Sequence, residues 1–508
     1  MLRTSNYTIY VDLPNSPEEV LLVHGYSGAF DKVKRPIASY LRSVQAQHRP
    51  KPLYGEWVSE PPIDSNSVAA PSPAVMESLK RRGYLTEMTP EEEEAHFVKM
   101  ATKLHQIESL LMPAYIIMPT YSCNLRCAYC FQDHMRTNPA FKHLLQIMQP
   151  EIVDRIFAAM PKIEAGHGVP ADLNIPRGIT FFGGEPLLAE NHSIIEYIIN
   201  KASSLGEARF DAISNGTELK AYKDLLSPNK ISSLQITLDG PAMEHDKRRI
   251  YADGSGSFAK IADNITMALD LGVQVSVRMN IDRNNIQQLP ELADEIIARG
   301  WHHYERFATY TAPIHASNEN TDVKTTFNSW HLQKALKQMR QEYPSMAVIL
   351  PPDDALPDTI RNMFAQYKDP SQNKKPLPPF KASFCQAHKK MYVFDPFADI
   401  YACWEKTGDQ KIRIGHITEN NEVVLNEELN QTWRNRTVVS NPTCRKCPYA
   451  FYCGGGCAVL AMTHNGNFHS NYCDGFANRF RANVAQGYQD YVSGAQPLVK
   501  RNVPVSSC

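Results

Sequence analysis

The chain has 508 residues, 43% hydrophobic and 21% charged, with 53 Lys and Arg against 54 Asp and Glu and a net charge of −1. That length exceeds one small core and sets a prior of two or three domains, and the charge balance gives no basic excess of the kind nucleic acid selects. No run of about 18 apolar residues and no basic-then-apolar N-terminus is visible, so neither a membrane span nor a secretory signal is expected, and the expected compartment is the cytoplasm.

Residues 1–110 contain no cysteine and read as an α+β region. Asn6–Asp12 and Glu19–His24 are strand-like, and Pro36–Arg42 is a candidate helix. The Pro/Ser-rich Pro61–Pro73 reads as a loop. Val75–Arg82 and Pro90–Gln106 read as helices. The first is capped by Gly83, and the second opens with four glutamates that suit the helix dipole. From 111 to 320 strand and helix alternate. Ala114–Pro119, Ile179–Phe182, Ala208–Ser214, Ser233–Asp239, Gln274–Asp282 and His303–Tyr310 are apolar, strand-like runs. Pro150–Ile163, His192–Ser204, Ser257–Leu271 and Asn285–Arg299 are helical. Six βα steps predict an α/β fold, a parallel sheet curled into a barrel or partial barrel, with chemistry at the C-terminal ends of the strands. Residues 321–380 read as a bridge with breakers at Pro351–Pro352 and Lys374–Pro379. Residues 381–485 form a cysteine-rich domain, and 486–508 a loose tail.

Eleven cysteines in clusters argue for metal or redox chemistry in a reducing compartment. Cys123, Cys127 and Cys130 are spaced by three and then two residues in the run SCNLRCAYC. A cubane cluster normally takes one thiolate per iron, so three cysteines leave one iron open for a small molecule. The alternative is zinc, which takes four closed ligands, or three plus water. The spacing and Tyr129 resemble the CxxxCxxC signature of radical S-adenosylmethionine (SAM) enzymes. After the second strand comes FGGEP, where two glycines permit close backbone approach. It reads equally as a tight turn. Gly183, Gly184, Glu185 and Pro186 match the radical SAM segment that binds the amino group of SAM. Ser214-Asn215-Gly216 ends the third strand, either as a plain turn or, by the resemblance, as a SAM contact through Ser214 or Asn215. On the fourth strand, QITLDGP with His245-Asp246, Arg249 and GSGSF resembles radical SAM maturases of peptides and proteins. There Thr237 faces the ribose of SAM, and Asp239 is either a base or substrate anchor or a turn cap; His245 reads as structural. Arg278, a charge within an apolar run, pairs with the SAM carboxylate or with an internal carboxylate such as Glu185.

The C-terminal cysteines are Cys385 and Cys403, seventeen residues apart, then Cys444, Cys447, Cys453, Cys457 and Cys473 around the Gly454–Gly456 run. Their close pairs are metal scaffolds, and a zinc site of four thiolates is one reading. Their order resembles the SPASM domain, which carries auxiliary [4Fe–4S] clusters. The resemblance assigns Cys444, Cys447, Cys453 and Cys473 to one cluster and Cys385, Cys403 and Cys457 to another, whose fourth ligand is undefined. Cys508 is taken as a bystander. Ala398 stands where the family often has Gly, with little effect expected.

The resemblance covers residues 110–480. It implies a partial (βα)6 TIM-like barrel, a SAM-bound [4Fe–4S] cluster, two auxiliary [4Fe–4S] clusters, and a flavodoxin- or ferredoxin-type electron donor. It further implies oxidative modification (cross-link, thioether or dehydrogenation) of a ribosomally made precursor peptide or a protein. The N-terminal region weakly resembles winged-helix leader-peptide recognition domains, which bind peptide at a sheet edge, against the alternative of a barrel cap. Two other functions stay open. One is anaerobic formation of formylglycine in a sulfatase, and the other is a non-catalytic iron–sulfur or zinc scaffold. No membrane or nucleic-acid partner is expected.

Overall fold

A computed structural model describes residues 2–45, 68–172, 175–316, 321–350, 355–367 and 380–494. The breakers at Pro351–Pro352 and Lys374–Pro379, most of Pro61–Pro73, and Cys508 lie outside these. The chain divides into two compact units. Among the described residues, one comprises those within Met1–Glu108, Asp353–Cys385 and Arg436–Pro497, and the other those within Ser109–Pro352 and Gln386–Asn435. Residues 381–485 are therefore divided between the two.

In the first unit β1 (Arg3–Thr4) pairs with a strand at Leu85–Thr86, while β2 (Thr8–Asp12), β3 (Glu19–His24) and β4 (Phe30–Lys34) form an antiparallel meander. Alternation along β3 explains its continuous apolar run, because successive side chains point to opposite faces. Val20 and Leu22 pack with Ala38, Leu41, Leu79 and Tyr84. Leu21 and Val23 pack with Ile360, Tyr452, Phe480 and Val484. The second face is thus covered by the helices Ala355–Tyr367 and Phe476–Ser493. This corrects the loose tail expected from residue 486: the helix runs on to Ser493 because Phe480 and Val484 are buried against the sheet. Gly83 caps its helix in the left-handed conformation, φ 92°. The glutamate run does more than meet a dipole, since Glu93 is wholly buried and accepts from Arg3, Ser5, the Asn6 amide and Tyr26.

The strand at Leu85–Thr86 is β5. The second unit holds a ten-stranded sheet. Its strands are β6 (Ala114–Ile117), β7 (Arg177–Phe181), β8 (Ala208–Ser214), β9 (Ile231–Thr237), β10 (Gln274–Ile281) and β11 (Phe307–Pro313), then β12 (Met391–Phe394), β13 (Asp399–Tyr401), β14 (Gly415–Ile417) and β15 (Val423–Leu425). Strands β6 to β11 lie in chain order and all pair parallel, with helices between them, so the predicted six-step α/β core is present. The order is open, with β11 at one end, which makes a partial barrel. Two details differ from expectation. The last core strand starts at Phe307, because Gly300 (φ 71°) turns the chain into a short helical turn at Trp301–His303. Buried Trp301 is fastened there by its indole N–H to Thr266 Oγ1 at 2.9 Å. The sheet also continues past β6 through parallel β12 and antiparallel β13–β15, strands of three or four residues too short to show a pattern. Among the described residues, no helix is long and apolar enough to cross a membrane.

Candidate active site

Because β6 to β10 run parallel, their C-terminal ends lie along one edge, and the sequence motifs occupy that edge in order. The Cys123–Cys130 loop follows β6. Gly183–Pro186 follows β7, Ser214 ends β8, Thr237 ends β9 with Asp239 two residues on, and Arg278 sits within β10 beside Thr237 and Tyr310.

The cysteine loop and the GGEP segment are fitted to each other. Gly184 N donates to Thr120 O (3.1 Å) and Glu185 N to Ser122 O (2.8 Å). A Cβ on Gly184 would fall 2.2 Å from Ser122 O, and one on Gly183, at φ 145°, 2.4 Å from Thr120 O. These glycines are therefore required by the neighbouring loop. Glu185 is 1% exposed and gathers three donors: Leu187 N (2.9 Å), Ser214 Oγ (2.7 Å) and Asn215 N (2.5 Å). Burial lifts its carboxyl to about 7 against the pull of those donors and of Arg249. Asn215 then reaches the cysteine loop, its Nδ2 donating to Asn124 Oδ1 (2.8 Å) and lying 3.7 Å from Cys123 Sγ. Pro186 is buried, with its carbonyl held by Asn191 Nδ2 (3.1 Å).

Tyr129 stands at the centre of a second network. Its hydroxyl donates to Asp239 Oδ2 and accepts from Arg249 Nη1 (2.7 Å) and Asn280 Nδ2 (3.2 Å). Asp239 is wholly buried; its other oxygen accepts from Asn280 N (2.9 Å), and Arg249 Nη1 lies 4.0 Å from Oδ2. His245 joins the Asp239 amide (3.3 Å) to Ser257 Oγ (3.0 Å), and Asp246 Oδ1 accepts from the Ser257 and Phe258 amides (2.8 and 2.9 Å) at the start of helix Phe258–Asp270. The HDxxR and GSGSF motifs thus brace one turn. Thr237 is 8% exposed. Arg278 Nε donates to Asn280 Oδ1 (2.9 Å), and its charge acts on Tyr310 and Glu405, while the cation acting on Glu185 is Arg249.

The three thiols fit a cluster in their surroundings. Burial pushes Cys127 up to about 12 and raises Cys123, so the free thiols are held neutral. Cys123 and Cys130, once ionised, both act on Cys127. Two cations that the sequence leaves without a role face them. Arg136 Nη2 donates to Cys130 Sγ (3.0 Å), and buried Arg249 acts on Cys127. The Leu125 amide donates to Cys123 Sγ (3.4 Å). Such N–H···S bonds and nearby cations stabilise thiolates bound to iron. Among the described residues no three His, Cys, Asp or Glu side chains close on a single ion. Beside the loop lies a cavity of about 340 Å³, walled by Phe131, Met135 and Phe141 on one side and by Glu405, Thr407 and Asp409 on the other.

In the first unit, burial raises Cys444, and Cys453, Cys447 and Cys473 are near enough to raise it further when ionised. Asn471 Nδ2 donates to Cys473 Sγ (3.3 Å). Gly454, Gly455 and Gly456 all take left-handed φ (75°, 89° and 77°), and a Cβ on Gly456 would meet Tyr472 O at 1.8 Å. Cys385 and Cys457 are also in this unit, whereas Cys403 belongs to the other. Ala398 corrects the sequence reading. At φ 63° it occupies the left-handed region that favours glycine, so its Cβ carries strain.

The sequence model of the radical SAM superfamily matches residues 117–296. A cysteine-type anaerobic sulfatase-maturating enzyme of Clostridium novyi (strain NT) is 22% identical over 389 residues, covering 73% of this chain and 95% of its own. The structure of anSMEcpe with bound AdoMet superposes with a TM-score of 0.54 at 16% identity, covering 76% of this chain and 96% of that one. The same protein with AdoMet and the Cp18Cys peptide gives 0.51 at 17%, covering 75% and 99%. The chain thus carries a radical SAM domain, set in an α/β fold shared with anSMEcpe and followed by a cysteine-rich C-terminal region.

Proposed function

We propose that the protein is a radical SAM maturase that oxidatively modifies a ribosomally made peptide. The observation that carries this reading is the three-cysteine loop at the C-terminal edge of the parallel strands. It is locked to GGEP, faced by Arg136 and Arg249, and accompanied in the same chain by a second cysteine set. When bound, the [4Fe–4S] cluster and SAM supply reductive cleavage of SAM to methionine and a 5′-deoxyadenosyl radical that removes hydrogen from carbon. Cys123, Cys127 and Cys130 hold that cluster. Gly183, Gly184, Glu185, Pro186, Ser214, Asn215, Thr237 and Arg278 line the SAM site with Tyr129. Asp239, engaged on both oxygens, holds the Tyr129 hydroxyl in place. The cavity beside Phe131 would give a substrate side chain room next to the loop. Cys444, Cys447, Cys453 and Cys473 would hold one auxiliary cluster, and Cys385 and Cys457 would serve another; when bound, such clusters would supply one-electron acceptance during product formation. In the N-terminal meander, β4 ends the described sheet and is the strand at which an extended peptide adds.

The second reading is formylglycine formation in a sulfatase, which the 95% coverage of the Clostridium novyi enzyme favours. The test is the product. Incubation of the reconstituted protein with SAM, a reductant and candidate precursor peptides, followed by mass spectrometry, should give a peptide lighter by two hydrogens. Loss of sulfur from a cysteine, with formation of an aldehyde, would establish the sulfatase-type reaction instead.

A further inference from the structure

Arg436 is 2% exposed, and every partner of its guanidinium is neutral. Nε donates to Phe468 O (2.7 Å), Nη1 to Gly456 O (2.8 Å), and Nη2 to Ser470 O (2.9 Å) and Gly455 O (3.5 Å). No carboxylate pairs with it among the described residues. The groups that would act on it, once ionised as thiolates, are Cys457, Cys444, Cys385 and Cys453. Carbonyl dipoles solvate a buried cation but leave its charge uncompensated, and an uncompensated buried charge is costly. Its partners also lie in the segments that carry these cysteines: Gly455 and Gly456 sit between Cys453 and Cys457, and Phe468 and Ser470 precede Cys473.

We propose that Arg436 is a positioning residue for charge in the cysteine-rich region, a fixed cation whose counter-ion is an auxiliary iron–sulfur cluster. The inference rests on the auxiliary clusters of the proposed function. A cubane core with four thiolates carries two negative charges when oxidised and three after it takes one electron from an external reductant. A nearby fixed cation stabilises the more negative state and raises the reduction potential. The four carbonyl bonds keep the guanidinium from turning away, so this stabilisation needs no reorganisation when the electron arrives.

The experiment compares wild type, Arg436→Lys and Arg436→Gln as full-length protein, reconstituted anaerobically. Iron is counted, and the auxiliary signals are followed by electron paramagnetic resonance during a dithionite titration. In Arg436→Gln with wild-type iron, the reduced-to-oxidised ratio of one auxiliary cluster should fall at least about tenfold at fixed potential. That is a midpoint lower by about 59 mV for one electron. Arg436→Lys should stay close to wild type. Iron lost in Arg436→Gln and retained in Arg436→Lys also supports a charge role. Unchanged midpoints in Arg436→Gln at full iron overturn it. So does equal iron loss in both variants, which would assign Arg436 to holding loop carbonyls alone. A wild-type chain with only about four irons overturns the auxiliary-cluster reading itself, and that failure shows before any variant is made.

Discussion

Gly184→Ala tests whether the fit between GGEP and the cysteine loop positions the cluster. The added Cβ would lie 2.2 Å from Ser122 O, 2.3 Å from Tyr121 O and 2.6 Å from Ser122 C, all backbone atoms with no rotamer to escape into. Carbon–oxygen contact needs about 3.3 Å, so the loop one residue before Cys123 must retreat by about 1 Å. Overpacking of this kind costs about 1–3 kcal/mol. Loosening Gly184 N–Thr120 O and Glu185 N–Ser122 O adds about 1 kcal/mol for each bond. Together these amount to about 3–5 kcal/mol, near the lower end of a native protein's stability, and a displacement of about 1 Å at a reacting centre costs about 10²-fold in rate. Gly178→Ala, on β7, the strand that leads into this segment, is the control. Nothing lies within 4 Å of its Cβ, and it should leave melting and activity close to wild type. The assays are iron per chain after reconstitution, single-turnover SAM cleavage and thermal melting of the apoprotein. Wild-type iron and cleavage in Gly184→Ala, or equal effects in the two variants, would refute the reasoning.

Further outcomes follow from other sites. Cys127→Ala should abolish SAM cleavage while leaving most of the iron, counted colorimetrically, because the C-terminal cysteines are untouched. Asp239→Asn removes the carboxylate facing buried Arg249 and should destabilise the protein by about 3 kcal/mol in chemical denaturation. It should weaken SAM cleavage with no change in the shape of the pH profile, whereas loss of one limb of that profile would make Asp239 a base. Ala398→Gly relieves the left-handed alanine, offset in part by the lost methyl and the extra chain entropy of glycine. A net gain of up to about 1 kcal/mol in denaturant midpoint is expected, and a loss would argue against strain there. Buried His24 accepts from the Ser27 amide at Nδ1 (3.1 Å) and donates to Ser5 Oγ at Nε2 (2.9 Å), and burial lowers its imidazole to about 3. With the folded value depressed, its contribution is complete above pH 6.5 and is lost as pH falls toward 3. Between pH 6.5 and 5 this amounts to about 2 kcal/mol. His24→Asn should flatten that part of the stability curve, and an unchanged slope would contradict the assignment.

The parallel core was legible because its strands are continuous apolar runs between periodic helices, and the cysteine spacings and the GGEP and LDGP motifs carried the site. What escaped is non-local. Arg249 reaches Tyr129 across 120 residues of sequence, Asn280 reaches it across 151, and Asp239 across 110, so no local pattern announces their network. Arg136 lies only six residues from Cys130, but a surface arginine after a helix start looks the same in sequence. The apolar run of β3 is buried on both faces, yet nothing in residues 19–24 says that one cover is a helix more than 450 residues away. In sequence, the glycines of GGEP read as making room for a ligand. Their Cβ positions are filled by the neighbouring loop.

The central claim is tested most directly by reconstituting the chain with iron and sulfide without oxygen, reducing it, adding SAM, and measuring iron and 5′-deoxyadenosine together. About twelve irons per chain are expected, for one radical and two auxiliary clusters, with 5′-deoxyadenosine formed. Zinc in place of iron, or iron with no 5′-deoxyadenosine under any reductant, would contradict it.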